Sequence, residues 1–313
     1  LDSIEDNLQL WFDASNIDGQ LNTTLNDGDA LSSWSDLSKN GNSGTSTGLT
    51  YEENVTAGGG PGVLFGSSRY LHIDSATHGN ILSVDQQLTI ISVVNVENLT
   101  NTGGSSQNII SRGGNNSFRQ RINTDGSIMM LIADGDSSTG SYEGGGGSAP
   151  VVVGDNIISS VIVVNDTIKT KTNTSSTQST ISTQASLNTS GQSLILGRYH
   201  TGGSEYLDGH ISELLVFDTA LSDVQLTMIY YYLSEKWGLT NSVDSDEDGN
   251  TDEDERGNGT SPIDPDNYPL ADLSDSVDSQ IGEASGLDSI ESSISLWFEI
   301  GLSDCEYRLH QYL

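Results

Sequence analysis

The sequence predicts an all-β protein with two packed antiparallel sheets, followed by one helix near its end and then by an acidic segment. Apolar residues make up only 34% of the 313 residues, but they are grouped in short runs such as ISVVNV, VIVV and ELLVF. Glycine, serine, asparagine and threonine separate these runs, as expected for turns between short strands. Many short strands at nearly regular spacing favour a sandwich or barrel over a parallel α/β sheet.

The predicted strands follow one another through the first 240 residues. The first is half-buried, since Leu8, Leu10 and Phe12 alternate with residues that point the other way. An Asp-Gly pair at 125–126 lies between two later strands and is a strong hairpin signal. The other predicted strands span residues 63–65, 70–73, 88–96, 108–112, 118–122, 127–132, 157–164, 168–172, 193–196 and 209–217.

One helix is predicted after the last of these strands. Ser222 and Gln225 form a capping box, in which the serine accepts from the backbone and the glutamine reaches back to it. Gly238 is expected to end the helix. An apolar stripe at helical spacing should pack against the sandwich, and consists of Leu226, Ile229, Tyr230, Leu233 and Trp237.

The charge of the chain limits its partners. It carries 44 acidic side chains against 11 lysines and arginines, a formal net charge of −33. Such a field repels nucleic acid and anionic lipid surfaces, and it favours divalent cations. No apolar run approaches the roughly 20 residues of a membrane helix, so we expect no membrane insertion within this sequence.

The single cysteine, Cys305, excludes an intrachain disulfide. A secreted protein without disulfides is more typical of bacteria than of animals, and calcium is a common substitute for disulfides. We therefore expect an extracellular or cell-surface location, in a bacterium. The chain begins at Leu1 without a methionine or a signal peptide, and we interpret it as an excerpt of a longer protein.

Residues 244–255 match the template of a calcium-binding loop. Carboxylates at positions 1, 3 and 5, a glycine at 6 and a glutamate at 12 can wrap oxygen ligands around Ca²⁺. The backbone carbonyl of position 7 is the remaining expected ligand, and position 9 binds directly or through water. The predicted ligands are Asp244, Asp246, Asp248, Asn250, Asp252 and Glu255. The alternative is an acidic, disordered linker that fits the template by chance.

The predicted organisation has four parts. Residues 1–240 form the sandwich, 241–268 a calcium-binding linker and 269–286 a polar spacer. The opening LDSIEDNLQLWF recurs as LDSIESSISLWF at 287–298, so we interpret 287–313 as the truncated start of a second sandwich copy. After this repeat the match stops, which indicates a frameshift or an assembly edge; a divergent copy cut short is the alternative.

Four motifs carry a family resemblance: LWFDAS at 10–15, WSDLSKNGN at 34–42, LDGHISELLVFDTALS at 207–222 and YLSEKWGL at 232–239. They resemble the laminin G-like, concanavalin A-like domains of large bacterial surface proteins. The resemblance implies a two-sheet jelly roll. It also implies that glycans, proteins or calcium are bound at the loop rim in many members.

The acidic segment has a resemblance of its own. Residues 244–266, with GTSP at 259–262, resemble a thrombospondin type 3 repeat. This resemblance implies a structural role, in which calcium stiffens a linker that its own charge would otherwise extend. Asp264 and Asp266 are extra candidate ligands.

A second cation site is conceivable at the rim. Asp36, Asn40, Asn42 and Asp218 lie in loops where this fold often holds a cation. Capping of turns by these side chains is the alternative, and we favour it. Three tryptophans that could stack on sugars are expected in the core instead, namely Trp11, Trp34 and Trp237.

Catalysis is not expected. Glycosidases on this fold need two carboxylates on one strand that face the same side. Glu213 and Asp218 are an odd number of residues apart, so they should point to opposite faces, and we interpret both as surface charge and turn capping. Isolated histidines, such as His72, His78, His200 and His210, are expected to be ordinary strand or loop residues.

The sequence thus favours a non-catalytic binding or adhesion module for a glycan or an extracellular protein. Two alternatives stay open. One is a purely structural spacer in a repetitive surface protein, and the other is an accessory domain of a secreted polysaccharide hydrolase.

Overall fold

The computed structural model describes residues 2–74, 87–100, 106–112, 118–133, 142–146, 150–180, 193–199 and 205–267. The predicted spacer at 269–286 and the predicted second copy at 287–313 lie outside the described residues, as do Cys305, His78 and His200. Residues 7–268 form one compact unit. Residues 1–6 and 269–313 form another, of which residues 2–6 are described and lie in helix α1 (Asp2–Asn7).

The described part of the large unit contains sixteen strands. They are β1 (Leu8–Asp13), β2 (Ser33–Trp34), β3 (Gly44–Thr47), β4 (Thr50–Glu52), β5 (Gly62–Phe65), β6 (Tyr70–Ile73), β7 (Gln87–Val96), β8 (Gln107–Arg112), β9 (Phe118–Ile122), β10 (Ile128–Ala133), β11 (Tyr142–Gly146), β12 (Asn156–Val164), β13 (Thr167–Thr172), β14 (Ser175–Thr180), β15 (Leu194–Leu196) and β16 (Gly209–Phe217). Helices α2 (Asp223–Trp237) and α3 (Asp252–Asn258) follow.

The strands form two antiparallel sheets. Sheet A has the order β14-β13-β12-β7-β16-β5-β4, with β1 also pairing with β16. Sheet B has the order β11-β10-β9-β8-β15-β6-β3-β2. Side chains of the two sheets meet in the core, where the amide of Gln120 on β9 donates to the hydroxyl of Ser159 on β12. The predicted all-β, two-sheet sandwich is confirmed, and its architecture is consistent with a jelly roll.

Strand β16 organises sheet A. One edge pairs with β7, while the other pairs first with β5 and then with β1. The register with β7 shifts between Ile211 and Glu213. Gly209 begins the strand at a φ of +150°, and a Cβ atom there would lie 2.1 Å from the carbonyl oxygen of Asn95. Only glycine therefore fits at this position.

The predicted strands are present, but five strands with few apolar residues were missed. Strands β2, β3, β4, β11 and β14 were not predicted. β14 is made entirely of serine, threonine and glutamine and lies at the edge of sheet A. Such strands carry no apolar alternation, and their pairing with a neighbour rather than their own pattern defines them.

Helix α2 follows its prediction closely. Ser222 and Gln225 form the capping box, and Gly238 ends the helix with a left-handed φ of 68°. Tyr230, Leu233 and Trp237 of the predicted stripe are buried. The hydroxyl of Tyr230 reaches sheet A, where it bonds the carbonyl oxygen of Lys171 at 3.0 Å and the hydroxyl of Ser160 at 3.1 Å. No helix among the described residues is long and apolar enough to cross a membrane.

The interpretation of Glu213 as surface charge was wrong. Its side chain is buried and accepts hydrogen bonds from the indole nitrogens of Trp11 at 2.8 Å and Trp237 at 2.7 Å. The amine of Lys236 bonds both Glu213 and Asp13 at 2.7 Å. Burial raises the pKa of Glu213, and the charge of Lys236 opposes that rise. Trp237 is in the core as expected, and so is Trp34, whereas Trp11 is half-buried.

We expect Glu213→Ala to lower the free energy of unfolding by about 3–5 kcal/mol, because a buried ammonium would keep only one carboxylate partner and two indoles would lose an acceptor. Urea unfolding followed by tryptophan fluorescence measures the change. Glu53→Ala, at an exposed position, is the control and should stay within about 0.5 kcal/mol of the parent. A loss for Glu213→Ala no larger than the control would refute the structural role.

Candidate metal centre

A tight loop after helix α2 gathers three carboxylates. Asp244, Asp246 and Asp248 each present an oxygen, and these oxygens lie within 4.8 Å of one another. Two left-handed residues bend the chain between them, Glu247 at a φ of 66° and Gly249 at 102°. A Cβ atom on Gly249 would meet nothing within 4 Å, so this glycine is required by its backbone conformation and not by space.

Backbone hydrogen bonds hold these carboxylates in place. Asp244 accepts from the amides of Glu247 at 2.7 Å and Gly249 at 2.9 Å. Asp246 accepts from the amide of Asp248 with Oδ1, and Asp248 accepts from the amide of Asn250 with Oδ1. Asp246 and Asp248 therefore each use Oδ1 to accept a hydrogen bond from the loop backbone, which leaves Oδ2 for a different partner.

Glu255, on helix α3, lies near enough to this cluster that the charges of Asp246 and Asp248 act on its carboxylate. Thr251 caps this helix by accepting from the amide of Asp254, and Glu255 lies one turn further on. Its side chain is 0% exposed, although glutamate is seldom fully buried without a partner. In the described part of the chain, neither of its oxygens has a hydrogen-bond donor, nor does Oδ2 of Asp246 or of Asp248.

The burial and the close approach of these carboxylates raise their pKa values. Burial, together with the charges of Asp246 and Asp248, raises the pKa of Glu255 to about 8. Burial likewise raises the pKa of Asp246 to about 6. Several carboxylates that share one buried place disfavour each other's ionisation, and a bound cation removes that conflict. The residues present thus fit a hard divalent cation.

Both carboxylate oxygens of Asp252 accept hydrogen bonds. Its Oδ1 accepts from the amide of Ser245 at 2.9 Å, and its Oδ2 accepts from the hydroxyls of Ser245 at 3.0 Å and of Ser234 on α2. These contacts brace the loop against the helix. Its predicted part in metal binding stays a prediction, as does that of the backbone carbonyl of Asn250.

The loop is joined to the sandwich. The buried amine of Lys171 on β13 donates to the carbonyl of Ser245 at 2.6 Å and lies 3.2 Å from the carboxylate of Glu247. The amide of Asp244 donates to the carbonyl of Asn173 at 3.0 Å. Residues in this loop therefore contact the sandwich directly within one compact unit, and the division of the chain at residue 240 stays a prediction.

The other candidate ligands lie elsewhere. Asp264 and Asp266 are exposed, and the amide of Asp266 donates to Asp264. Asp218 accepts from the side chain of Gln9 at 3.1 Å. Within the described ranges, the cluster of Asp244, Asp246 and Asp248 is the only group of three or more acidic, histidine or cysteine side chains arranged to hold a metal.

Asp36 caps its own loop. Its two oxygens accept from the amides of Trp11 at 2.9 Å, Ser38 at 2.9 Å and Asn42 at 2.7 Å. The side chains of Asn40 and Asn42 donate to backbone carbonyls of β1. These are the capping contacts that we favoured over a second cation site at the rim.

A family model, that of the concanavalin A-like lectin/glucanases superfamily (laminin G type), matches residues 65–227. The chain belongs to this superfamily. A comparison with curated proteins finds no match. The resemblance of the acidic segment to a thrombospondin type 3 repeat stays a prediction.

Solved structures are similar at low identity. The binding domain of botulinum neurotoxin DC, solved with rat synaptotagmin II, is 11% identical with a TM-score of 0.50, over 74% of this chain and 52% of that one. The NanB sialidase of Streptococcus pneumoniae is 18% identical with a TM-score of 0.42, over 52% and 26%. Domain 4 of the Geobacillus stearothermophilus arabinanase AbnA, solved with arabinotriose, is 18% identical with a TM-score of 0.48, over 69% and 94%.

At 11% identity, the likeness to the neurotoxin domain bears on the fold alone. The chain spans about a quarter of the sialidase and about half of the neurotoxin domain. The neurotoxin domain supports the two-sheet fold described above.

In EDTA, we expect the stability of the protein to fall as the pH rises from about 4.5 to about 8. Over this window the unfolded chain releases the proton of Glu255 while the folded chain retains it, so the unfolded state binds fewer protons and stability decreases. Chemical unfolding at several pH values measures the slope.

Glu255→Gln is the matched control, since it keeps the shape of the side chain without its titration. Its stability should depend less steeply on pH than that of the parent over the same window. Parallel curves for the two proteins would show that Glu255 is not held in the crowded, buried state that we describe.

Proposed function

We propose that this chain is a non-catalytic, extracellular binding module for a glycan or a protein, and that a calcium ion stabilises it. The ion would be bound by Asp244, Asp246, Asp248 and Glu255. One observation carries the calcium assignment: Glu255 is fully buried, and neither of its oxygens has a donor among the described residues, nor does Oδ2 of the nearby Asp246 or Asp248.

Calcium suits the donor set better than other common metals. The side chains offer carboxylate oxygen only, which hard cations prefer and which zinc sites seldom use alone. Calcium accepts about six to eight oxygens in irregular geometry, whereas magnesium demands a near-ideal octahedron and keeps several waters. A loop with three aspartates and a bidentate-capable glutamate meets the looser requirement.

The non-catalytic part of the proposal rests on Glu213. This residue lies on a central strand, where a catalytic carboxylate of the fold would lie, but both of its oxygens are bonded to Trp11, Trp237 and Lys236. A carboxylate so occupied is poorly placed to exchange a proton with a substrate.

Binding is favoured by membership of a lectin-like superfamily. An extracellular location is favoured by the acidic charge and by a calcium centre, since sites of this kind fill at the calcium concentrations found outside cells.

Calcium should stabilise the whole sandwich, because the loop is bonded to β13 and α2. At calcium concentrations about 100 times the Kd, the gain is about 2.7 kcal/mol, so EDTA should lower the Tm by about 5–10 °C. Differential scanning calorimetry measures this shift.

Asp246→Asn should lose most of the calcium-dependent shift and should be no less stable than the parent in EDTA, because it removes one of the crowded charges. Asp264→Asn changes the charge equally at an exposed position outside the cluster and should keep the full shift. If both variants respond to calcium as the parent does, the ligand assignment is wrong.

A glycan array tests the binding function. With residues 1–268 in calcium, we expect binding to a coherent set of sugars. Silence of folded protein, in calcium and in EDTA alike, would argue for a structural spacer or for a protein ligand instead.

A further inference from the structure

A small cavity lies where the sandwich, helix α2 and the acidic segment meet. It has a volume of about 300 Å³, and its lining comes from β13, from the first turns of α2, from the calcium loop (residues 244–255) and from the segment after α3. Asp246 and Glu247 line it from the loop, so the cavity adjoins the proposed calcium site. Four separate segments of the chain therefore converge on one concave surface, which is typical of a ligand site.

Part of the cavity wall is apolar and open to solvent. Val224 on α2 is 70% exposed, more than any other large apolar side chain in the described ranges. Ile263 and Pro265, from the segment after α3, line the same cavity. Contact of this apolar surface with water costs free energy, and a ligand that carries methylene groups would remove that contact.

Two ion pairs in the cavity wall have the same arrangement. The amine of Lys169 lies 2.6 Å from Oδ1 of Asp223, and the amine of Lys171 lies 3.2 Å from the carboxylate of Glu247. In each pair the amine is the more buried member. The side chain of Lys169 is 26% exposed, for example, whereas that of Asp223 is 81% exposed. A ligand that enters from solvent therefore meets a carboxylate before it meets an amine.

Asp223 is the carboxylate best placed to bind such a ligand. Both oxygens of Glu247 are already engaged, Oε1 with Lys171 and Oε2 with the hydroxyl of Ser176 at 2.9 Å. Asp246 belongs to the proposed calcium site. The ion pair of Asp223 engages its Oδ1 atom, and the side chain as a whole stays open to water.

The charge around the cavity favours a cation over an anion. Three carboxylates line it against two amines, and the whole chain carries a formal net charge of −33. The positive end of α2 does not reverse this preference, because Asp223 lies in its first turn and the capping box bonds two of its amides. An ammonium group is therefore attracted to the cavity, whereas an anion is repelled.

We propose that this cavity binds a lysine side chain of a partner polypeptide, with the ammonium group on Asp223 and the methylene stem on Val224 and Ile263. Lysine combines the two features that the wall requires, since its flexible four-carbon stem carries a compact charge with three donors. This inference rests on the proposed function, whose protein ligand it narrows from any polypeptide to one with an exposed lysine.

Capped amino acids of different charge provide the test. The Nα-acetyl amides of lysine, norleucine and glutamate are titrated into the protein in calcium, and the methyl NMR signals of Val224 and Ile263 report binding. We expect the lysine derivative to shift these signals and to bind about tenfold more tightly than the norleucine derivative, which lacks only the charged amine. The glutamate derivative should not bind.

Asp223→Asn should weaken binding of the lysine derivative about tenfold, because it removes the charge-assisted contact. Val224→Ser should weaken binding of the lysine and norleucine derivatives alike, by about threefold, because it removes apolar contact with the stem. Glu53→Gln removes one negative charge at an exposed position after β4, at the opposite edge of sheet A from β13, and should bind as the parent does. The Tm of each variant verifies that it is folded.

Several outcomes would overturn the inference: no shift of these signals by the lysine derivative, equal binding of the lysine and norleucine derivatives, preference for the glutamate derivative, or equal losses in Glu53→Gln and Asp223→Asn. The calcium assignment and glycan binding would survive any of these, because calorimetry and the array test them separately. Conversely, expected binding of the lysine derivative without an effect of calcium on the Tm would remove the calcium assignment and keep this site.

Discussion

A buried charge must meet an opposite charge or a set of hydrogen-bond partners, and this constraint organises the molecule. Glu213 meets it with Lys236 and two indoles. Lys171 meets it with the carbonyl of Ser245 and the carboxylate of Glu247. Glu255 has no such partner among the described residues. That contrast within one protein is the physical ground for assigning a cation to the loop.

Lys171 connects the acidic loop to the sandwich. Its ammonium lies 4.6 Å from the ring centre of Tyr230, and its carbonyl accepts from the hydroxyl of the same residue. One residue thus joins β13, α2 and the loop. A cation that orders the loop orders the surroundings of this buried amine as well, so its binding free energy contributes to the stability of the whole unit.

The features that the sequence predicted are those that a short local pattern determines. The capping box of α2 and the calcium-loop template are short-range signals, and the structure contains the capping box and a cluster at three template positions. Glu213 was misinterpreted because its partners, Trp11 and Lys236, come from distant segments and because a register shift precedes it.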